Sequence, residues 1–270
     1  MSEQTYETLR VDREGAIATV TIREKTMRTV FFTEIGAAFT ALADDPELRA
    51  VIIAAEGKAF TYGLDLMSAA SDLGGALQGG GAATRMGLQR TIRRLQACFT
   101  AVEECPVPVI AAVHNWCIGG GVDLICACDI RLASADARFS VRETKIAIVA
   151  DLGTLQRLPK IIAPGHAREL AFTGKDIDAA RAATIGLVNH VYADRDALLA
   201  GARELAAEIA QNPPLTVRGT KDVMRFSEGA SVDEGLRYVA AWNAAFLASE
   251  DLGEAMSAFM AKRPPKYRGR

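Results

Sequence analysis

The sequence predicts an α/β fold: a sheet-rich core reaching to about residue 193, then an almost wholly helical region over 194–270. Residues 50–55 (AVIIAA) and 109–113 (VIAAV) are short, unbroken apolar runs of the kind that form strands buried on both faces. Each follows a segment with apolar residues at helical spacing, or precedes one, which is β-α-β order. Beyond Ala193 the period is helical throughout, punctuated by Pro213-Pro214.

Taken in order, the chain opens with predicted strands at 7–11 and 17–22, the second alternating apolar and polar residues after the turn signal Arg13-Glu14-Gly15. A helix is predicted over 31–42 and a strand over 50–55. Residues 71–83 are rich in Gly and Ala and read as a loop of the length that often serves as a lid. Helical periodicity returns over 86–104 and stops at Pro106-Val107-Pro108, ahead of the strand at 109–113. A helix is expected to begin within Gly119-Gly120-Gly121, strands at 130–134 and 138–141, and a further helix near Gly153.

The 270 residues suffice for one large domain with a sizeable core. Half are hydrophobic and 24% charged, the composition of a globular protein and not of a disordered one. Lys and Arg (31) nearly cancel Asp and Glu (33), so there is no broad positive field for nucleic acid or anionic lipid. The start lacks a signal-peptide pattern, and no apolar run nears the roughly 20 residues that span a bilayer; a cytoplasmic protein without membrane attachment is expected. Cys98, Cys105, Cys117, Cys126 and Cys128 are odd in number and set in apolar sequence, as reduced buried thiols are. No metal site is expected, and His114, His166 and His190 show no triad pattern and read as structural.

Two segments carry chemistry. In Cys117-Ile118-Gly119-Gly120-Gly121-Val122-Asp123, glycines and a helix start directly after a buried strand would aim unpaired N–H groups at a bound anion or oxyanion. A ligand-free tight turn and a phosphate site are the competing readings. The second segment, Gly57 to Leu66, also follows a buried strand, and a Leu64 N–H could converge with that of Gly120 on one oxygen. The plain alternative is a connection in which Asp65 caps a turn.

Together these stretches resemble the crotonase (enoyl-CoA hydratase/isomerase) superfamily. The resemblance runs over most of the chain, through 57–66, Cys105 to Ala112, 118–131 and Ile185-Gly186-Leu187-Val188-Asn189-His190. It implies a crotonase spiral of β-β-α units with a C-terminal trimerisation region, hence a homotrimer or homohexamer. It further implies an acyl-CoA thioester substrate and no cofactor apart from the coenzyme A that the substrate carries. Leu64 and Gly120 would supply the oxyanion hole, with Tyr62, Gly63, Asp65, Leu66, Gly119 and Gly121 around the substrate.

Within the superfamily, Glu143 falls where hydratases keep a carboxylate near the acyl α-carbon, and Asp151 where they usually have glycine. This segment resembles the dienoyl-CoA isomerases, as do 117–129 with Asp123, Ser231 to Leu236, and Trp242-Asn243. Moving a 3,5-diene into conjugation needs proton transfer at two separated carbons while a dienolate is held at the thioester oxygen, which two carboxylates can do. Glu143 is assigned to the α-carbon, Asp151 to the remote carbon and Asp123 to the pocket floor, with Ile146, Ile148, Val149 and Leu152 as apolar surroundings that raise a carboxyl pKa. Each acid has a plain alternative: Asp151 as the N-cap for Thr154, Asp123 as a first-turn acid, Glu143 paired with Arg142 or Lys145. Enoyl-CoA hydration by Glu143 and Asp123 is the alternative activity, and a non-catalytic CoA- or RNA-binding scaffold the alternative class.

One segment departs from the family pattern. Lys25-Thr26-Met27-Arg28-Thr29 replaces the usual Asn-Ala-Met/Leu loop that touches the nucleotide end of CoA, leaving Lys25 and Arg28 as candidate contacts. Lys262 to Lys266 is either a second phosphate contact or a solvated basic tail.

Overall fold

The computed structural model describes residues 5–70 and 81–270; most of the Gly-rich loop expected at 71–83 lies outside them. The elements are β1 (Leu9–Glu14), β2 (Ile17–Ile22), α1 (Thr29–Ala43), β3 (Ala50–Ala55), α2 (Ala82–Glu103), β4 (Val109–Val113), β5 (Trp116–Ile118), α3 (Gly120–Cys126), β6 (Ile130–Ser134) and β7 (Arg138–Ser140). After a 3-10 turn at Glu143–Ile146 come α4 (Thr154–Ile161), α5 (Pro164–Thr173), β8 (Ile177–Asp178), α6 (Ala179–Thr184), β9 (His190–Tyr192) and α7 (Arg195–Ala210). The chain then runs through α8 (Pro214–Ser227), α9 (Val232–Phe246) and α10 (Glu250–Met260).

A six-stranded sheet has the order β1-β2-β3-β4-β6-β9. Only its β1/β2 hairpin is antiparallel. A smaller sheet, β5-β7-β8, stands apart. Successive strands feed the two sheets in turn, β4 then β5 and β6 then β7, with a helix between the pairs. That is the β-β-α winding expected of a crotonase spiral. β1 begins later than predicted and runs on through Asp12, Arg13 and Glu14, because an edge strand can carry exposed polar residues right up to a tight turn at Gly15.

β3 shows why an unbroken apolar run is required. Val51, Ile53 and Ala55 join the larger core, whereas Ala50, Ile52 and Ala54 face the other way, onto Leu198, Ala202 and Ala206 of α7. The first helix beyond residue 193 is thus a layer of the core itself. α8, α9 and α10 bury little of their apolar surface within the chain: Val232 is 82% exposed, Phe259 83% and Met260 74%.

Leu198 is fully buried. Leu198→Ala should lower the free energy of unfolding by about 2–5 kcal/mol in urea titration, and an unchanged midpoint would mean that α7 is not part of the core.

Candidate active site

The site forms where the two sheets are joined by backbone. Thr61 bridges Cys117 in parallel, its N–H donating to Trp116 O at 2.9 Å and its carbonyl accepting from Ile118 N at 3.2 Å. Thr61 thereby extends the smaller sheet, and the chain after it runs alongside Ile118 to Gly120. Met27 locks the other side, donating to Gly63 O at 2.8 Å and accepting from Asp65 N at 3.0 Å. Gly63 lies at φ +84°, and a β-carbon there would stand 2.6 Å from Ile118 O, so only glycine permits this approach.

Leu64 and Gly120 consequently become neighbours: a β-carbon on Gly120 would lie 4.0 Å from Leu64 N, and one on Gly63 3.6 Å from Gly120 N. Among the described residues neither N–H donates a hydrogen bond, whereas that of Gly63 donates to the Thr61 hydroxyl and those of Asp65 and Gly119 to backbone carbonyls. Gly120 also opens α3. Thr61, absent from the residues expected at the site, accepts the Gly63 N–H through Oγ1 at 3.1 Å; a Thr two residues before a loop glycine is the turn signal that marks it.

Glu143 reaches this junction from the 3-10 turn. A β-carbon on Gly119 would be 3.2 Å from Glu143 Oε1, and Oε2 is buried without a partner. Burial, reinforced by the nearby Asp123 charge, pushes the Glu143 carboxyl up to about 7. Among the described residues it has no ion pair: the neighbouring Arg142 turns to Asp176 instead. The Asp151 carboxyl is also raised by burial.

The contact with Thr154 expected as the plain alternative for Asp151 falls to Asp123, which also remains a first-turn acid of α3. The N–H of Thr154, at the start of α4, donates to Asp123 Oδ1 at 2.6 Å, so Asp123 serves that helix end and Asp151 does not. Asp123 is 1% exposed, and burial lifts its carboxyl to about 6 against the pull of the Thr154 bond.

Several other expectations change. The Asp65 carboxylate accepts from Thr26 Oγ1 at 2.8 Å and Ser68 N at 2.9 Å, so it caps a turn with one bond to each oxygen, the plain alternative for this residue. Arg28 is held by Glu24 and Glu7, whereas Lys25 is exposed. Of the apolar residues beside the acids, only Leu152 is buried; Ile146, Ile148 and Val149 are 45%, 41% and 75% exposed, so the Glu143 shift comes from its own burial. Tyr62 and Leu66 are likewise open, while a β-carbon on Gly121 would collide with Thr61 Cγ2 at 2.5 Å. In the C-terminal tail Arg263 is paired with Glu254. A separate open cleft of about 820 Å³, walled by residues that include Asp129, Arg131, Asn189, Lys221 and Met224, contains none of Leu64, Gly120, Glu143 or Asp151.

The arrangement offers two convergent amide donors beside carboxyl groups whose protons are held near neutral pH, the requirements for making and quenching an enolate. Residues 12–270 match the enoyl-CoA hydratase/isomerase family model. A mitochondrial delta(3,5)-delta(2,4)-dienoyl-CoA isomerase of Dictyostelium discoideum is 48% identical over 238 residues, covering 88% of this chain and 81% of that protein. The peroxisomal delta(3,5)-delta(2,4)-dienoyl-CoA isomerase of Arabidopsis thaliana is 42% identical over 99% of both chains. Among solved structures, the enoyl-CoA hydratase of Bacillus anthracis superposes with a TM-score of 0.88 at 28% identity, covering 98% of this chain and 100% of that one.

These relatives overturn the cytoplasmic placement expected from the sequence, since their names put them in mitochondria or peroxisomes. Globular composition carries no compartment signal, because the interior of an organelle asks the same of a folded core as the cytosol does. The fold, the paired amides and these likenesses agree: the chain belongs to the enoyl-CoA hydratase/isomerase family.

Proposed function

We propose that the chain isomerises 3,5-dienoyl-CoA to 2,4-dienoyl-CoA, as the names of its relatives say of them. The observation that carries this reading is a further raised carboxyl, Asp151, in addition to the half-buried Glu143, which packs against Gly119 next to the two free amides. The N–H groups of Leu64 and Gly120 accept the thioester oxygen as charge develops on it, each contributing on the order of a hundredfold or more in rate. Glu143, packed beside Gly119, removes the α-proton, and Asp151 delivers a proton to the remote carbon. No resident cofactor is needed. Tyr62 and Leu66 wall the substrate channel, Gly119 and Gly121 let the backbone approach it, and Lys25 reaches the phosphates of CoA.

Such a shift works while the Glu143–Asp151 pair holds one proton. The reactive arrangement has that proton on Asp151 and leaves Glu143 as the base. Hydration by Glu143 and Asp123 is less well supported, since Asp123 is almost wholly buried and its Oδ1 is tied to Thr154.

Purified protein given 3,5-dienoyl-CoA should build the absorbance band of the conjugated 2,4-diene, and Glu143→Gln and Asp151→Asn should each slow this by about a hundredfold or more. Near-normal rates in both variants would sink the assignment, and bleaching of a 2-enoyl-CoA band without diene conjugation would favour hydration.

The pH profile follows from the same pair. Below the raised Asp151 value both acids are protonated and no base remains; above about 7 Glu143 loses its proton and no acid remains. The kcat/KM profile should be bell-shaped, with its upper limb near 7, and a rate flat to pH 9 would contradict this reading.

We further propose a homotrimer or a hexamer of two trimers, assembled through α8 to α10. Their outward Met224, Val232, Phe259 and Met260 support it, since monomers rarely leave so much apolar surface open. Sedimentation should give three or six chains, with Val232→Glu and Phe259→Glu dissociating them; a monomeric wild type would contradict the proposal.

A further inference from the structure

Helix α2 presents Gln96, Thr100 and Glu103 at spacings of four and three residues, hence on one face. That face meets the loop that carries Asp151. Gln96 Nε2 donates to Asp151 O at 2.6 Å. Arg157 of α4 reaches back over the same loop: Nη1 donates to Leu152 O at 3.3 Å, and Nη2 to Thr100 Oγ1 at 3.3 Å and Glu103 Oε2 at 2.6 Å. Its guanidinium fills the space over Gly153, where a β-carbon would stand 1.8 Å from Nη1 at a φ of +128°. With Thr154 N on Asp123, residues 151, 152 and 154 are each bonded by a side chain from outside the loop or by the clamp across it, and the same clamp lies over Gly153. Glu143 has no bond to Gln96 or Arg157 among the described residues.

The structure assigns Gln96 and Arg157 as positioning residues for Asp151: they fasten its loop to α2, so that its carboxyl is held at the remote carbon independently of Glu143. The inference rests on the isomerase reading above. In that reaction the Glu143 carboxylate takes the α-proton and the C–H electron pair passes into the dienolate. The Asp151 O–H then protonates the remote carbon as the pair returns, and the proton on Glu143 passes back to Asp151 between turnovers. Loosening the clamp therefore impairs the second transfer and leaves the first intact.

The test is turnover of 3,5-dienoyl-CoA in D₂O, following both diene conjugation and deuterium at the α-carbon of recovered substrate. Gln96→Met keeps the side-chain length without the donor, and Arg157→Lys keeps the charge beside Glu103 without the fork. In both, kcat for isomerisation should fall about tenfold to a hundredfold with KM nearly unchanged, while α-exchange continues at the wild-type rate or faster. Unchanged isomerisation in both variants, or exchange that falls in step with it, would overturn the inference. Asp151→Asn separates the two levels. If it is inactive in isomerisation while Gln96→Met and Arg157→Lys are normal, only the clamp fails; if it isomerises normally, the role of Asp151 fails and the clamp with it; and if the wild type converts no 3,5-dienoyl-CoA, the isomerase reading itself fails.

Discussion

The backbone bridge between Thr61 and Cys117 is the constraint on which the site depends. The loop after β3 and the strand β5 that follows β4 are registered by it to within hydrogen-bonding precision, and its continuation sets Leu64 beside Gly120. Amide dipoles fixed in this way need no reorganisation when charge appears opposite them, which is the source of their catalytic value. Met27 secures the same segment from the opposite side, and Asp65 adds a capped turn immediately beyond it. Glycine at 63 and 121 is the chemical condition for this closeness, since a β-carbon at either position would run into the neighbouring strand or Thr61.

Against that rigid frame the acids are arranged at a cost. Glu143 and Asp123 are desolvated, and the Asp123 charge raises Glu143 further as that of Asp151 raises Asp123, so the folded chain binds protons that the unfolded chain would release. For Glu143 the folded value, about 7, lies above the unfolded one, so its effect is to reduce stability progressively as pH rises between the two. A purely structural acid gains nothing from such an environment. Asp123 shows the contrast within one cluster: its Oδ1 serves the start of α4, so part of its burial is offset by a hydrogen bond, whereas Glu143 Oε2 has no such partner.

What the sequence made legible follows physical rules. β3 and β4 were readable because strands buried on both faces must be apolar throughout, and the glycine segments because only glycine tolerates that backbone approach. β5 and β9 span three residues each, too short for any period to register, and β1 hid its length behind the polar residues of an edge strand. The acids were legible as types and positions but not as roles. Whether Asp123 or Asp151 bonds the N–H of Thr154 depends on a contact across 31 residues, and the pairing of Arg28 with Glu7 and Glu24 depends on the path of the N-terminal strand. The face shared by Gln96, Thr100 and Glu103 could be seen as a helical stripe, yet its target is defined only once α4 folds beside it.

In the proposed reaction everything turns on the two unpaired amides holding the thioester oxygen. A crystal structure with an unreactive dienoyl-CoA analogue tests it directly. That oxygen is expected at about 2.7–3.1 Å from both Leu64 N and Gly120 N, with Glu143 at the α-carbon and Asp151 further along the chain. A thioester oxygen bonded to neither amide would contradict it.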